Sequence, residues 1–170
     1  NQGWRFDELT QVRLDDAAAA AIQRQQRDAL ILLNALLQNA DTKAQNQTLL
    51  CLDHASTKPC RQSLLLVDDV GWTFGRGYSL AHPLQSSKMR LDHWRSSAIW
   101  RDRSRCIAAI HPSWGATLRP TAVSEAGRLV LVERYRLLSR QEKENIFRAA
   151  RVEFQQIRAG SAEQWGTPAA

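Results

Sequence analysis

Three side chains suited to acid–base and electrostatic chemistry lie close together in the stretch NADTKAQNQTLLCL. Asp41, Lys43 and Asn46 place an acid, a lysine and an amide at relative positions 0, +2 and +5, and a D-V-G triplet runs from Asp69 to Gly71. A carboxylate can accept a proton, and carboxylate and amide oxygens are ligands for hard cations such as Mg²⁺. The alternative is that Asp41 ends a helix, Asn46 lies in a turn and Asp69 is an ordinary loop acid.

The elements around these residues are predicted from periodicity and composition. Residues 17–38 contain no Gly or Pro and are mostly strong helix formers, so we expect one long helix there, capped by Asp15 or Asp16. Its second half is apolar on nearly all sides, which predicts deep burial. Two short apolar runs, 49–52 and 64–67, read as the strands of an antiparallel hairpin. The fold class is therefore mainly α with a small β-hairpin (α+β).

In sequence and in element order, residues 15–77 resemble the catalytic lobe of the protein-kinase-like fold. In that family the catalytic loop carries an Asp, a Lys two residues later and an Asn five residues later, and a hairpin then leads to a D-x-G triplet. Asp41, Lys43 and Asn46 match these offsets, and Asp69 and Gly71 match the triplet. Because the middle residue is Val, the chain is most similar to atypical bacterial kinase-like and lipid-kinase-like proteins, as a kinase-like C-terminal lobe.

The resemblance implies a role for each of these residues in phosphoryl transfer from ATP. Asp41 would accept the proton of the attacking hydroxyl, and Lys43 would neutralise charge on the phosphoryl group and contact the nucleotide. Asn46 and Asp69 would be Mg²⁺ ligands, and Gly71 would let the chain turn tightly beside the bound cofactor.

The same resemblance predicts a partner for this chain. No G-x-G-x-x-G motif and no V-A-I-K-like strand precedes the long helix, so nothing in the sequence resembles an ATP-covering lobe. We therefore expect residues 1–160 to form a kinase-like helical catalytic lobe. It would be an enzyme only if an N-terminal lobe or a partner chain supplied the remainder of the ATP site. Residues 161–170 read as a C-terminal tail. The alternative is a pseudokinase-like interaction module without turnover.

The charge of the chain favours an anionic or phosphorylated ligand. There are 23 Lys and Arg residues against 17 Asp and Glu, a formal net charge of +6. Between residues 88 and 105, five arginines alternate with Trp94 and Trp100. Such a segment can stack on bases and pair with phosphates, so a small basic nucleic-acid-binding domain is the second alternative. The other interpretation, which we favour for both tryptophans, is that they are core anchors.

Cysteine positions bear on the cellular compartment. Cys51 and Cys60 flank the inner ends of the two predicted strands, so a disulfide between them is possible and would imply an exported or periplasmic protein. The alternative is that Cys51 and Cys106 are simply small buried hydrophobic groups. Without the bridge, a cytoplasmic location follows. No apolar run reaches the length of about 18 residues that a membrane-spanning helix needs.

Two more helices are predicted near the C-terminus. Ser124 is placed to begin the first, in which Leu129, Val132 and Leu137 form the expected apolar stripe. Ser139 and Glu142 have the spacing of a capping box at the start of the second.

Overall fold

The chain folds into four helices and two small sheets in the part that the structure describes. A computed structural model describes residues 3–6, 8, 16–51, 63–70, 72–74, 89–111 and 115–149, with the backbone alone at Cys51 and Ser63. In chain order the elements are α1 (Ala17–Leu37), a 3₁₀ turn (Ala44–Asn46), β1 (Gln47–Cys51), β2 (Ser63–Val67), α2 (Leu91–Ser96), β3 (Trp100–Asp102), β4 (Ile107–Ala108), α3 (Glu125–Leu137) and α4 (Arg140–Ala149). The predicted class, mainly α with a small β-hairpin, is confirmed.

Helix α1 occupies the predicted range almost residue for residue. The Asp16 side chain accepts hydrogen bonds from the amides of Ala18 and Ala19, and Gln38 ends the helix in the left-handed conformation with a φ of 52°. The second half is buried, as the sequence predicts. Ile22, by contrast, is 53% exposed. It lies on the first turns of the helix, before the part that enters the core.

Strands β1 and β2 form the predicted antiparallel hairpin. Their register pairs Gln47 with Val67 and Leu50 with Leu64, and it is continuous along both strands. Each strand extends the predicted apolar run by one or two residues at its start. Because side chains alternate between the two faces, Leu50, Leu64 and Leu66 share the outward face and remain partly exposed.

Helix α3 packs along α1, and a glycine makes the close approach possible. Ser124 caps α3 by accepting a hydrogen bond from the amide of Gly127. A Cβ added at Gly127 would lie only 2.4 Å from the Cβ of Asp28. The predicted apolar stripe of α3 is therefore wrong in its position: Leu129 and Leu137 are exposed. The face that contains Gly127 turns inward instead, because only a residue without a side chain fits against α1.

Two apolar clusters form the interior of the described residues. The first joins α1, β4 and the segment that leads to α3, and it consists of Phe6, Ile31, Leu32, Ala35, Ala108, Ile110, Leu118 and Val123. The second consists of Met89, Leu91 and Trp94, packed against Phe74 and Phe147. Trp94 is buried in the second cluster and Trp100 packs against the first, which confirms both tryptophans as core anchors.

Helix α4 begins with the predicted capping box. The backbone amide of Ser139 donates to the Glu142 carboxylate, and the Glu142 amide donates to Ser139 Oγ. The hydrogen bonds from Ser139 hold the pKa of Glu142 below its ordinary value. None of the helices in the described part of the chain combines the length and hydropathy that a membrane span requires.

Two predictions concern residues outside the described ranges. Cys60 and the side chain of Cys51 are not described, so their bridge stays a prediction; Cys106 is a free, partly exposed thiol. The tail predicted at residues 161–170 also falls outside the described part of the chain.

Candidate functional site

The candidate site is built on residues 39–46, which we call the site loop, immediately after α1. Two buried asparagines connect this loop to the helix. Asn39 donates from Nδ2 to Asn34 Oδ1 at 2.9 Å, and Asn34 donates in turn to the carbonyl of Leu30. Asn39 Oδ1 accepts from the amide of Asp41 at 3.2 Å. The direction in which the chain leaves α1 is thus set by side-chain amides, and Asp41 is oriented by one of them.

Asp41 and Lys43 form the charged centre of the loop. Lys43 Nζ lies 2.9 Å from Asp41 Oδ1. The Asp41 side chain is 9% exposed, whereas that of Lys43 is 39% exposed. Asp41 Oδ1 has no hydrogen-bond partner among the described residues, so the contact is an ion pair without good hydrogen-bond geometry. A buried carboxylate oxygen next to a reachable ammonium is the main electrostatic feature of the site.

Thr42, between these two residues, ties the loop to a distant segment of the chain. Its carbonyl accepts from both the amide and the hydroxyl of Thr117, at 2.8 and 2.7 Å. Its own hydroxyl accepts from the amide of Leu118 at 3.2 Å. Nearby, Gly115 adopts a φ of +80°, which a side chain rarely tolerates, and the stem of Lys43 passes within van der Waals reach of it. The loop is therefore held from outside by residues 115–118.

Asn46 and Gln47 close the loop from its other end. Asn46 Nδ2 donates to the carbonyl of Asp41 at 2.9 Å, so the first and last residues of the D-x-K-x-x-N motif are joined directly. Gln47 Nε2 donates to the carbonyls of Thr42 and Lys43, at 3.2 and 3.1 Å. Because the Asn46 amide nitrogen faces the loop, its Oδ1 is the atom left to accept or to bind a cation.

The D-V-G triplet begins at the same open end of the hairpin as Asn46, on the other strand. The amide of Asp68 donates to the Asn46 carbonyl at 2.9 Å, and the Asp68 carboxylate accepts from the Thr48 hydroxyl. The Asp68 carboxylate is therefore hydrogen-bonded within the hairpin. Asp69, which follows it, is exposed. Gly71, the other residue predicted here, lies outside the described residues.

The chain after the triplet returns to the site loop. Residues 72–74, which we call the arm, bond to both ends of the α1–loop junction. The carbonyl of Trp72 accepts from the amide of Ala40 at 3.1 Å, and the amide of Phe74 donates to the Leu37 carbonyl at 2.7 Å. The two motifs that the sequence analysis singled out are therefore linked at two places, through Asn46–Asp68 and through the arm.

The donor atoms available here are of the type that Mg²⁺ prefers. Asn46 Oδ1 and the Asp69 carboxylate are oxygen atoms of residues at the open end of one hairpin, and hard cations take oxygen ligands. No group of three or more His, Cys, Asp or Glu side chains with metal-binding proximity occurs within the described ranges. The predicted Mg²⁺ ligands, Asn46 and Asp69, are not such a group, because they comprise one amide and one carboxylate. Water and phosphate oxygens would occupy the remaining coordination positions. The residues present fit such a site.

The comparisons with known proteins supply no match for this chain. No protein-family model, no curated protein and no solved structure matches it. The assignment of function therefore depends on the geometry of the site loop.

Several residues that shape the site were missed by sequence reasoning. Asn34 carried a signal, because a polar amide inside an apolar helix needs a buried partner. Gln47 and Thr117 carried none, since each is an ordinary polar residue whose partner becomes visible only when the loop has folded.

Proposed function

We propose that this chain is the catalytic lobe of an atypical kinase-like phosphotransferase that uses ATP. The observation that carries the proposal is the folded D-x-K-x-x-N motif. Asp41 and Lys43 meet at 2.9 Å, Asn46 closes the turn on the Asp41 carbonyl, and the D-V-G end of the hairpin is bonded to the same loop. The buried Asp41 Oδ1 accepts no hydrogen bond from the described residues, so it is available to receive a proton.

The chemistry follows from the placement of these charges. The oxygen of an acceptor hydroxyl attacks the terminal phosphorus of ATP, the bond from that phosphorus to the bridging oxygen breaks, and ADP leaves. Asp41 receives the hydroxyl proton, and its burial keeps competing water away from the carboxylate. Lys43 is exposed enough to turn from Asp41 towards the transferring group, where its charge stabilises the additional negative charge of the transition state.

The metal and the rest of the nucleotide site complete this proposal. Asn46 and Asp69 would hold Mg²⁺, which when bound neutralises the charge of the phosphates. The proposal is supported by the hydrogen bond from the Asp68 amide to the Asn46 carbonyl, which joins the two motifs at the open end of the hairpin. We further propose that the surface covering ATP comes from an N-terminal lobe or a partner chain.

The first test concerns nucleotide binding. Asp69→Asn in the full-length protein should abolish the heat of Mg²⁺-ATP binding in calorimetric titration, because the substitution removes the anionic ligand. Asp68→Asn is the matched control. It removes the same charge one residue earlier from a carboxylate engaged with Thr48, and should leave nucleotide affinity within about twofold, since exposed charges interact weakly through water. No binding by the wild type, or equal loss in both variants, would refute the proposal.

The second test separates an enzyme from a pseudokinase-like module. Asp41→Asn preserves the shape of the side chain and removes the proton acceptor. It should retain Mg²⁺-ATP binding and lower the rate of ADP formation by about 10²–10⁴-fold, the usual contribution of a general base. Wild-type protein that binds nucleotide but forms ADP no faster than Asp41→Asn would be a binding module.

A further inference from the structure

The turn between β3 and β4 is a rigid, internally bonded structure. We call residues 101–105 the Arg turn. Asp102 Oδ1 accepts from Ser104 Oγ at 2.7 Å and from the amide of Arg105 at 3.2 Å. The amide of Cys106 donates to the Arg103 carbonyl at 3.3 Å, and Cys106 itself adopts a φ of 51°. Strand β4 is then held on its other side, where Ile107 pairs with Ala122. The backbone of the turn is therefore ordered without any ligand.

Three exposed arginines belong to this turn. Arg101, Arg103 and Arg105 form no ion pair and no side-chain hydrogen bond with the residues that the structure describes. Three arginines in the helices are instead paired with acids. Ion pairs join Arg27 to Asp28, Arg128 to Glu125 and Arg140 to Glu144. The three arginines of the turn thus keep all their donors available to an external anion.

The single acid of the turn does not neutralise them. Asp102 directs its carboxylate towards Ser104 and the backbone of Arg105, which is the structural role of an Asx turn. The hydrogen bond from Ser104, followed by that from the Arg105 amide, lowers the pKa of Asp102. The acid therefore shapes the turn as a carboxylate, and it forms no ion pair with the three exposed arginines.

We propose that the Arg turn is a phosphate-contacting surface that binds the backbone of a single-stranded nucleic acid. Guanidinium forks match phosphate oxygens in a bidentate manner, and the turn carries three exposed arginines within five residues. Trp94 is buried and Trp100 is half-buried against the first cluster, so the proposal assigns recognition to the arginines and not to base stacking. Recognition through phosphates alone predicts binding that is independent of sequence and strongly dependent on salt. This inference does not depend on the proposed phosphotransferase activity.

The experiment measures salt-dependent affinity with a matched pair of variants. The probe is fluorescein-labelled oligothymidine of about 20 nucleotides, long enough to span a typical single-strand site. One variant replaces Arg101, Arg103 and Arg105 by Gln. The control replaces Arg24, Arg134 and Arg136 by Gln, which removes the same charge from exposed arginines on α1 and α3. Fluorescence anisotropy follows binding while KCl is raised from about 50 to about 200 mM.

The wild type should bind with an affinity that falls steeply with salt. Loss of three phosphate contacts should reduce the slope of log K against log salt by about 2, and raise Kd at low salt by at least about tenfold. The control should change Kd by less than about threefold, because long-range charge alone is screened. Single Gln substitutions in the Arg turn should each lower the slope by about 0.7.

Three results would overturn the proposal. The first is absence of binding to oligothymidine at low salt. The second is an equal loss of affinity in the turn variant and the control, which would mean that net charge alone is responsible. The third is displacement of the probe by polyglutamate at equal charge concentration, which would identify acidic protein as the partner. Circular dichroism melting of both triple variants confirms that they are folded, as exposed side chains without contacts should allow.

Discussion

Asp28 shows at the scale of a single residue how a buried charge is kept in this fold. The residue is 3% exposed, its Oδ2 accepts from the amide of Ser124 at 2.9 Å, and Arg27 contacts its Oδ1 at 2.7 Å. Burial raises the pKa of Asp28, but the hydrogen bonding of Ser124 and the ion pair with Arg27 outweigh it. The pKa therefore lies below its ordinary value. The carboxylate joins α1 to the beginning of α3 as an anion.

The protonation of Asp28 should therefore contribute to acid sensitivity. A carboxyl whose folded pKa is depressed stabilises the protein above its unfolded pKa, near 3.8, and this contribution is lost as pH falls through the folded value. Asp28→Asn should lower the free energy of unfolding at pH 7 by about 1–3 kcal/mol, since it removes a buried charged acceptor. Urea unfolding at a series of pH values measures this difference, which should shrink below about pH 4.

Asp92→Asn is the control for this prediction, because Asp92 is exposed on α2. It should leave the free energy of unfolding within about 0.5 kcal/mol of the wild type at every pH. If the difference in free energy of unfolding between the wild type and Asp28→Asn stayed constant down to pH 2, the charge of Asp28 would make no contribution to stability.

At the scale of elements, the crossing of α1 and α3 depends on Gly127. In an open helix position, Gly→Ala stabilises by about 1 kcal/mol through helix propensity. Here the new methyl group would lie 2.4 Å from the Cβ of Asp28 and 3.0 Å from the carbonyl oxygen of Gln25. Gly127→Ala should therefore destabilise by about 1–3 kcal/mol, because the helices must separate. The sign of the change in the urea midpoint decides between these outcomes.

A neighbouring position supplies the control for Gly127. Ala126 is exposed one residue earlier, so Ala126→Gly should cost only the propensity difference of about 1 kcal/mol. A higher urea midpoint for Gly127→Ala would show that α1 and α3 do not approach each other as closely as in this structure.

The elements also show what can be read from sequence and what cannot. Helix α1 and the hairpin were predictable because periodicity, capping and the absence of breakers all agree locally. The inward face of α3 was not, because a single glycine and its fit against Asp28 outweighed the larger Leu129 and Leu137. In the site, the pairing of Asp41 with Lys43 is local in sequence. The bonds from Thr117 and Leu118 involve a segment with no motif of its own, so no pattern indicated them.

At the scale of the whole molecule, the second apolar cluster links α4 to the site loop. Phe147 of α4 packs against Phe74 and Trp94, with ring centroids 5.4 and 6.2 Å away. Trp94 Nε1 donates to the carbonyl of Leu36 near the end of α1, and Phe74 belongs to the arm. The last helix therefore supports the junction from which the site loop leaves α1.

Removing the Phe147 ring should detach α4 while leaving the main core folded. Phe147→Ala should cost about 2–4 kcal/mol of cluster packing, somewhat less than a fully buried phenylalanine because the ring is only half-buried. Native-state hydrogen exchange should show faster exchange of α4 amides, with the amides of α1 and α3 nearly unchanged. Ile146→Ala, at an exposed neighbour, should alter neither. Uniform loss of protection across all helices would instead mean that α4 and the core unfold as one unit.

The anchoring of Thr42 has a consequence for the order in which this protein assembles. Two of the three groups that donate to its carbonyl come from Thr117, and the group that donates to its hydroxyl comes from Leu118. During synthesis the helix, the loop and the hairpin are made long before either of those residues exists. Contacts between segments far apart in the chain carry a large closure entropy and form late. A nascent or truncated chain that ends before residue 115 would contain every residue of the D-x-K-x-x-N and D-x-G motifs, yet its site loop would lack the hydrogen bonds that Thr117 and Leu118 supply.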